Sequence, residues 1–358
     1  MVIRPGGKIR VQAFGGLTGM DEALEIVDSL PENDWIQFVN TQSDGNIFHT
    51  PYLYEIFRNT KNHVPRLAAV VSRSDGLLNA LMLTVQVNVA GGLLKRLTGR
   101  GILYGGLLCP PQQKYPDSIS RLVEMHDQKL RSHVLLTEIR NMNSTAFFRS
   151  SLEANGYVYR DYLNYVIDLQ QGPERIYNSF STSCKRNIRK AETSGIEIRV
   201  LEDLDGVPVF YRMLQKTYAR AKVVIADISL FENAFRVLYP KNMIKIFVAY
   251  LGMVPIACRS VFLFKDRMYD WYAGSDPAYY KHCPNEWMVW HILRMGIQNG
   301  FRIFDFGGAG FPDEKYGVRD FKSRFGGKLV NHGRYTKIYS PLWFQISKVG
   351  YRAYQHVI

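Results

Sequence analysis

Apolar and polar positions alternate with a period of two in several runs of this chain, the mark of half-buried strands. Residues 65–87 read as a strand, a Ser74-Asp75-Gly76 turn and a second strand. Residues 118–132 then carry a helical pattern, and 134–141 return as a strand. A second pass follows the same order. Residues 244–264 read as strand, Gly252 turn, strand; Lys265-Asp266 turns into a strand over 267–274. A helix over 285–300 ends near Gly300, and 301–306 is again a strand. Two passes of hairpin, helix and strand predict a tandem, mixed α/β architecture, although element order alone does not single out one α/β fold. Residues 77–94 are uncharged and long enough to need testing as a membrane span. However, Val85, Val87 and Val89 alternate with Gln86, Asn88 and Ala90, which places the amides on one face of a strand and argues for sheet.

The division between the two passes is expected near residues 168–180, where Gly172-Pro173 interrupts the pattern. That gives domains at 1–172 and 173–340, and an aromatic, basic, amphipathic segment at 341–358. Over 183–194 a helix would place Lys185, Arg186, Arg189 and Lys190 on one arc and Cys184, Ile188 and Ala191 on another. Gly195 stops it, and Ile196, Ile198 and Val200 alternate with Glu197 and Arg199 as a strand. Clustered cations repel one another unless they are solvated or face an anion, and most such runs are solvated faces.

The length of 358 residues suits two domains, and 46% hydrophobic with 13% aromatic residues is enough to build packed cores. Lys and Arg outnumber Asp and Glu by 45 to 32, a net charge of +13 that favours polyanionic partners or simply solubility. Cys109, Cys184, Cys258 and Cys283 lack C-x-x-C spacing, so neither a zinc site nor a disulfide framework is indicated. His49, His282, His291 and His332 form no metal or nucleophile-base spacing, so no metal and no covalent mechanism is expected. No apolar secretory run opens the chain, and a reducing, cytoplasmic setting is the simplest expectation. The segment 340–358 reads as a packed helix or as an interfacial contact with an anionic membrane.

Residues 301–327 hold the strongest chemical signal. A strand runs into Gly307, Gly308 and Gly310 and then into Phe321-Lys322-Ser323-Arg324-Phe325-Gly326. Backbone N–H groups and a lysine beside a strand end suit a phosphate or a developing oxyanion. Without further context, Lys322 reads first as a surface lysine between two core phenylalanines. Asp305-Phe306-Gly307 and Tyr159-Arg160-Asp161 echo kinase triplets, but no glycine-rich loop opens the chain and their spacing is wrong. Trp271-Tyr272-Ala273-Gly274-Ser275-Asp276 reads first as a turn whose Ser-Asp-Pro opens a helix.

The series Lys185-Arg186-Asn187-Ile188-Arg189-Lys190-Ala191 with Gly195 after it, together with FK-x-x-FG at 321–326, resembles the FemABX-type aminoacyltransferases. These belong to the GNAT acyltransferase superfamily, and the likeness is best over about 175–330. The resemblance implies tandem GNAT-like domains with mixed central sheets. It implies that Arg186, Arg189, Lys185 and Arg324 hold acceptor phosphates while Lys322 stabilises the oxyanion. Gly307 and Gly308 would shape the floor, and Tyr272, Ser275 or Asp276 would orient the amine or shuttle its proton. The donor would be aminoacyl-tRNA and the acceptor a phosphate-bearing peptidoglycan precursor, with no tightly bound cofactor. The long charged hairpin of tRNA-reading relatives and the pyrophosphate loop of coenzyme A enzymes are both missing from the pattern. An acyl-CoA or acyl-carrier-protein N-acyltransferase acting on an amino sugar therefore stays open, as does a non-catalytic adaptor for RNA or anionic lipid.

Overall fold

The computed structural model describes residues 24–88, 98–110 and 116–357 of the chain. The part of the alternating run beyond Asn88, including Val89 and Ala90, and the amino-terminal segment lie outside the described residues. The chain forms two compact units. The first holds the described residues up to Arg58, then Asn62–Arg160 and Arg334–Ser347.

The first unit is built on a seven-stranded sheet. Its strands are β1 (Leu24–Val27), β2 (His63–Ser72), β3 (Leu78–Val87), β4 (Arg100–Gly105), β5 (Leu136–Asn141), β6 (Val158–Arg160) and β14 (Arg334–Ile338). The order is β1-β2-β3-β4-β5-β14-β6, and β4 and β5 run parallel. Helices α1 (Glu32–Thr41), α2 (Pro51–Arg58), α3 (Pro116–Leu130) and α4 (Arg149–Ala154) accompany it. The uncharged run at 77–88 is indeed sheet. Both amides are buried, and Gln86 is bonded at both ends: its Nε2 donates to Asn88 Oδ1 at 3.2 Å, and Arg66 Nη2 donates to its Oε1 at 3.2 Å. The absence of charge there reflects a two-sided core rather than lipid. Among the described residues, no helix is long and apolar enough to cross a membrane.

The second unit repeats this plan with β7 (Leu163–Asp168), β8 (Ile196–Val200), β9 (Ile244–Leu251), β10 (Val254–Phe264), β11 (Arg267–Ser275), β12 (Ile303–Gly308) and β13 (Lys328–Asn331). The order is β8-β9-β10-β11-β12-β7-β13, and β11 and β12 are the parallel pair. Its helices are α5 (Pro173–Ser179), α6 (Thr182–Thr193), α7 (Val207–Arg220), α8 (Ile228–Leu238), α9 (Pro284–Gln298) and α10 (Gly317–Ser323). The last helix of the chain is α11 (Pro341–Val357). Phe247, Ile256, Met268, Met288, Ile292, Phe304 and Phe306 are buried in one core between sheet and helices.

In each sheet the strand beside the parallel pair comes from a distant stretch of sequence. β7 precedes its unit's other strands yet lies between β12 and β13; β14 follows the second unit yet lies between β5 and β6. Strand pairing therefore divides the chain at Arg160/Asp161 and returns residues 334–347 to the first unit, which differs from the division at 172/173 read from the sequence. Gly172-Pro173 does mark a break, but it is the start of α5.

The return of β14 is secured by a buried carboxylate that the sequence did not flag. Asp127 on α3 accepts hydrogen bonds from Tyr157 Oη, Tyr339 Oη and Lys337 Nζ, each at 2.7 Å, and lies 3.3 Å from His126 Nδ1. Burial would raise its pKa, but His126, Lys337 and Tyr339 outweigh that and hold it below the ordinary carboxylate value. Its contribution is thus present above the unfolded-state value of about 4 and is lost as pH falls through the lower folded value. Asp127→Ala is expected to destabilise the protein by about 3 kcal/mol at pH 7, because it leaves the buried Tyr157 hydroxyl and the half-buried Lys337 ammonium without their acceptor. The difference from wild type should shrink below about pH 4 as the carboxylate is protonated, and urea denaturation at the two pH values measures both effects.

Candidate active site

The parallel strands β11 and β12 pair only at Arg267↔Ile303, Met268↔Phe304 and Tyr269↔Asp305. Beyond that point β11 continues to Ser275 and β12 to Gly308 without pairing, so the strands part. A bulge adds to this: Asp270 pairs with Val261 and Tyr272 with Ser260, which leaves Trp271 as the extra residue. The gap opens at the carboxyl ends of parallel strands, where α/β folds commonly hold ligands.

A buried group of charges lies at this gap. Lys322, from α10, is 8% exposed. Its Nζ donates to Phe306 O, to Gly307 O at 3.2 Å and to Gly308 O at 2.9 Å, so the end of β12 wraps the ammonium. Burial brings its pKa down to about 8; Asp270 and Asp305 hold it up, and Arg259 pushes it down. Arg259 Nη1 and Asp270 Oδ2 form a 2.6 Å ion pair across β10 and β11, with side chains only 6% and 10% exposed. Asp270 Oδ1 and Asn164 Oδ1 are closed off from solvent with no hydrogen-bond partner among the described residues. Asn164 Nδ2 donates to Asp305 Oδ1 at 2.8 Å, and Gly307 N donates to the same oxygen at 2.7 Å. Burial pushes the Asp305 carboxyl pKa up, and these donors, with Lys322 and His332, draw it back.

The glycine turn therefore presents carbonyl oxygens to a cation. Gly307, at φ +69°, has its N–H taken by Asp305 and so offers no donor to an anion. At Gly308 a Cβ would lie 2.6 Å from the Tyr162 ring, so the close approach leaves no room for a side chain.

Packing accounts for the spacing of FK-x-x-FG. Phe325 is fully buried against Phe180, Phe306 and Phe321, at ring separations of 5.3, 5.5 and 5.2 Å. Lys322 comes from the same short helix and points to the turn after β12. Gly326 has φ +67°, and a Cβ there would meet Ser179 Oγ at 2.2 Å and Ser179 O at 2.6 Å.

The chain then bonds to the start of the basic helix, with Ser181 N donating to Arg324 O at 2.8 Å. On α6, Cys184, Ile188 and Ala191 are buried as expected, and Ser181 Oγ caps the helix by accepting from Cys184 N. Asn187 Nδ2 donates to Glu286 Oε1 at 2.9 Å; Glu286 is 8% exposed and lies 4.0 Å from Arg324 Nη1. Lys185 Nζ is bonded to Asn178 O at 2.8 Å, so it fastens the approach to its own helix. Arg186 and Arg189 are exposed, and their guanidinium groups have no ion-pair or hydrogen-bond partner among the described residues.

Two sequence candidates stand differently from the expectation. Asp276 accepts from Lys216 Nζ at 2.6 Å and caps the following turn at Ala278 N, and the lysine bond lowers its pKa. Lys216 takes one Asp276 oxygen and Ala278 N the other, so neither is left for a substrate amine, and the Ser-Asp-Pro turn is the reading that fits. Tyr272 is half-buried in an aromatic group, edge-on to Phe231 at 4.8 Å and to Trp271 at 4.9 Å. Ser275 is buried, and its Oγ accepts from Asn285 Nδ2 at 3.1 Å. The thiols of Cys109 and Cys184 are pushed up to about 12 by burial, which keeps them un-ionised.

The sequence reading missed Arg259, Asp270, Asn164 and Glu286. The first two did leave a signal: Arg259 is the lone charge of β10, and Asp270 lies inside the facing strand of the same hairpin, where an unpaired buried charge would be costly.

Residues 178–323 match the family model described as acetyltransferase (GNAT) domain. The second unit is thus similar to a GNAT domain over that stretch. Among solved structures, FemX aligns with a TM-score of 0.67 at 14% identity, covering 90% of this chain and 100% of that one. L-PGS from Bacillus licheniformis aligns at 0.55 and 14% identity, covering 90% and 97%. A tandem GNAT protein from the clavulanic acid biosynthesis pathway aligns at 0.55 and 10% identity, covering 89% and 99%. At these identities the likeness is one of fold, and the fold is the tandem GNAT fold of FemABX-type proteins. No curated protein matches the sequence.

Gly326→Ala is expected to destabilise the GNAT domain by roughly 2 kcal/mol or more, since it adds a clash to a left-handed backbone. At Gly317 an added methyl would meet nothing within 4 Å, so alanine there should change the thermal midpoint little.

Proposed function

We propose that this protein transfers an activated aminoacyl group to an amine of a phosphate-bearing cell-envelope precursor. The observation that carries this reading is the charge group at the parted strands: a buried ammonium, Lys322, beside a buried carboxylate, Asp270, that keeps one oxygen unbonded. Amine attack needs both signs of charge. The amine nitrogen bonds to the ester carbonyl carbon, the carbonyl oxygen becomes negative, and the nitrogen must lose a proton before the C–O bond breaks. Asp270 Oδ1 would orient the amine, take that proton and return it to the leaving oxygen as the C–O bond breaks, in the role the sequence had offered to Tyr272 or Asp276. Lys322 would face the oxyanion by releasing its longest bond, the 3.2 Å contact to Gly307 O. Much of the rate would come from fixing the two reactants in a site closed to water. Arg186 and Arg189, with no partner of their own among the described residues, would meet acceptor phosphates, and Arg324, tied to the α6 start, would join them. Likeness to FemX and to L-PGS favours an aminoacyl donor, in line with the sequence resemblance, whereas the GNAT match keeps acyl-CoA as the second reading.

Incubation with labelled aminoacyl-tRNA and a panel of amine acceptors should move label onto an acceptor; thiol release from acyl-CoA without transfer from RNA would establish the second reading instead. Lys322→Met is expected to lower kcat by about 10²–10³-fold, the usual effect of losing one oxyanion donor. Because the ammonium titrates at about 8, kcat/KM should fall as pH rises through that value. Asp270→Asn removes a charge that raises the Lys322 pKa, so the alkaline limb should move to lower pH. An alkaline limb that stays in place would remove Lys322 from the mechanism.

A further inference from the structure

On α11 the apolar side chains face the wrong way for a packed helix. Leu342, Trp343, Ile346 and Val349 are 70%, 48%, 45% and 67% exposed. At about 100° per residue, Leu342, Ile346 and Val349 fall within roughly 60° of helix circumference, and Trp343 borders them. The partly buried Phe344 and Ser347 lie on the opposite side and form the docked face of this stretch. Four large apolar groups on one outward arc are unusual for an ordinary protein surface.

The charge of the region says what could cover them. From Pro341 to Ile358 the chain has two cations, Lys348 and Arg352, and no Asp or Glu. A second copy would bring the same excess of positive charge against itself. An anionic bilayer attracts it, and its interface accepts both aliphatic side chains and the indole of Trp343. A helix of 17 residues with no apolar window long enough to span can lie in the plane of the interface.

We propose that α11 is an interfacial helix that seats the protein on anionic lipid through Leu342, Trp343, Ile346 and Val349. This does not depend on the acyl-transfer reading, although it would bring the enzyme to the surface where lipid-linked acceptors lie.

The test is co-flotation of the full chain with vesicles of phosphatidylcholine alone and of phosphatidylcholine mixed with phosphatidylglycerol. Wild type should float with the mixed vesicles and not with the neutral ones. The variant Leu342→Ser/Ile346→Ser/Val349→Ser, whose changes are all at exposed positions, should bind at least about tenfold more weakly, in line with the loss of buried apolar area. Its thermal midpoint and its transfer activity on a water-soluble acceptor should match wild type. Equal binding by wild type and variant, or no binding by either, would overturn the proposal. So would a dimer in wild type that the variant loses, because the face would then join two copies.

Discussion

An ammonium group held away from water is what the second unit is organised around. Lys322 carries its charge into a nearly closed site, and such a transfer costs several kcal/mol unless the surroundings answer it. Carbonyl oxygens of Phe306, Gly307 and Gly308 answer with hydrogen bonds, and Asp270 and Asp305 answer with charge. Each answer imposes a structural demand. Three successive carbonyls can converge on one point only if the chain turns sharply at the end of β12, which explains the glycines there. A carboxylate can approach only if β11 leaves β12, and the bulge at Trp271 helps it to do so. The gap that could admit a substrate is thus the same distortion that accommodates the lysine.

The group is balanced without being saturated. Arg259 offsets Asp270, and Lys322 faces both acids, so the site is near neutrality with strong local fields. In a low-dielectric setting such fields act with little loss to solvent. One oxygen of Asp270 and one of Asn164 remain without donors, and native proteins rarely leave buried acceptors unused unless a ligand or a step of chemistry calls for them. The basic helix is coupled to the same place through Asn187, Glu286 and Arg324, so phosphate contact at Arg186 or Arg189 and chemistry at Lys322 would share one rigid frame.

Each unit completes its sheet with a strand that is distant in sequence from its neighbours in the sheet. β7 and β14 each enter a sheet whose other strands are far away in sequence, and neither position can form until much of the chain has been made. This raises the importance of local locks such as Asp127, which meets Lys337 just within β14 and Tyr339 just beyond it.

Strand periodicity, the hairpin turns, the helix over 182–193 and the FK-x-x-FG spacing were legible because they depend on contacts between near neighbours, where residue type and interval suffice. The same holds for the absence of a membrane span at 77–88, since alternation is a local property. Tertiary structure alone decided which way the turn after β12 points, and it pointed carbonyls rather than N–H groups at the site. It also decided that Asp276 is committed to Lys216 while Asp270, six residues earlier, keeps an oxygen free. A side chain's partners, and therefore its protonation and reach, are set by residues distant in sequence, and no local pattern encodes them.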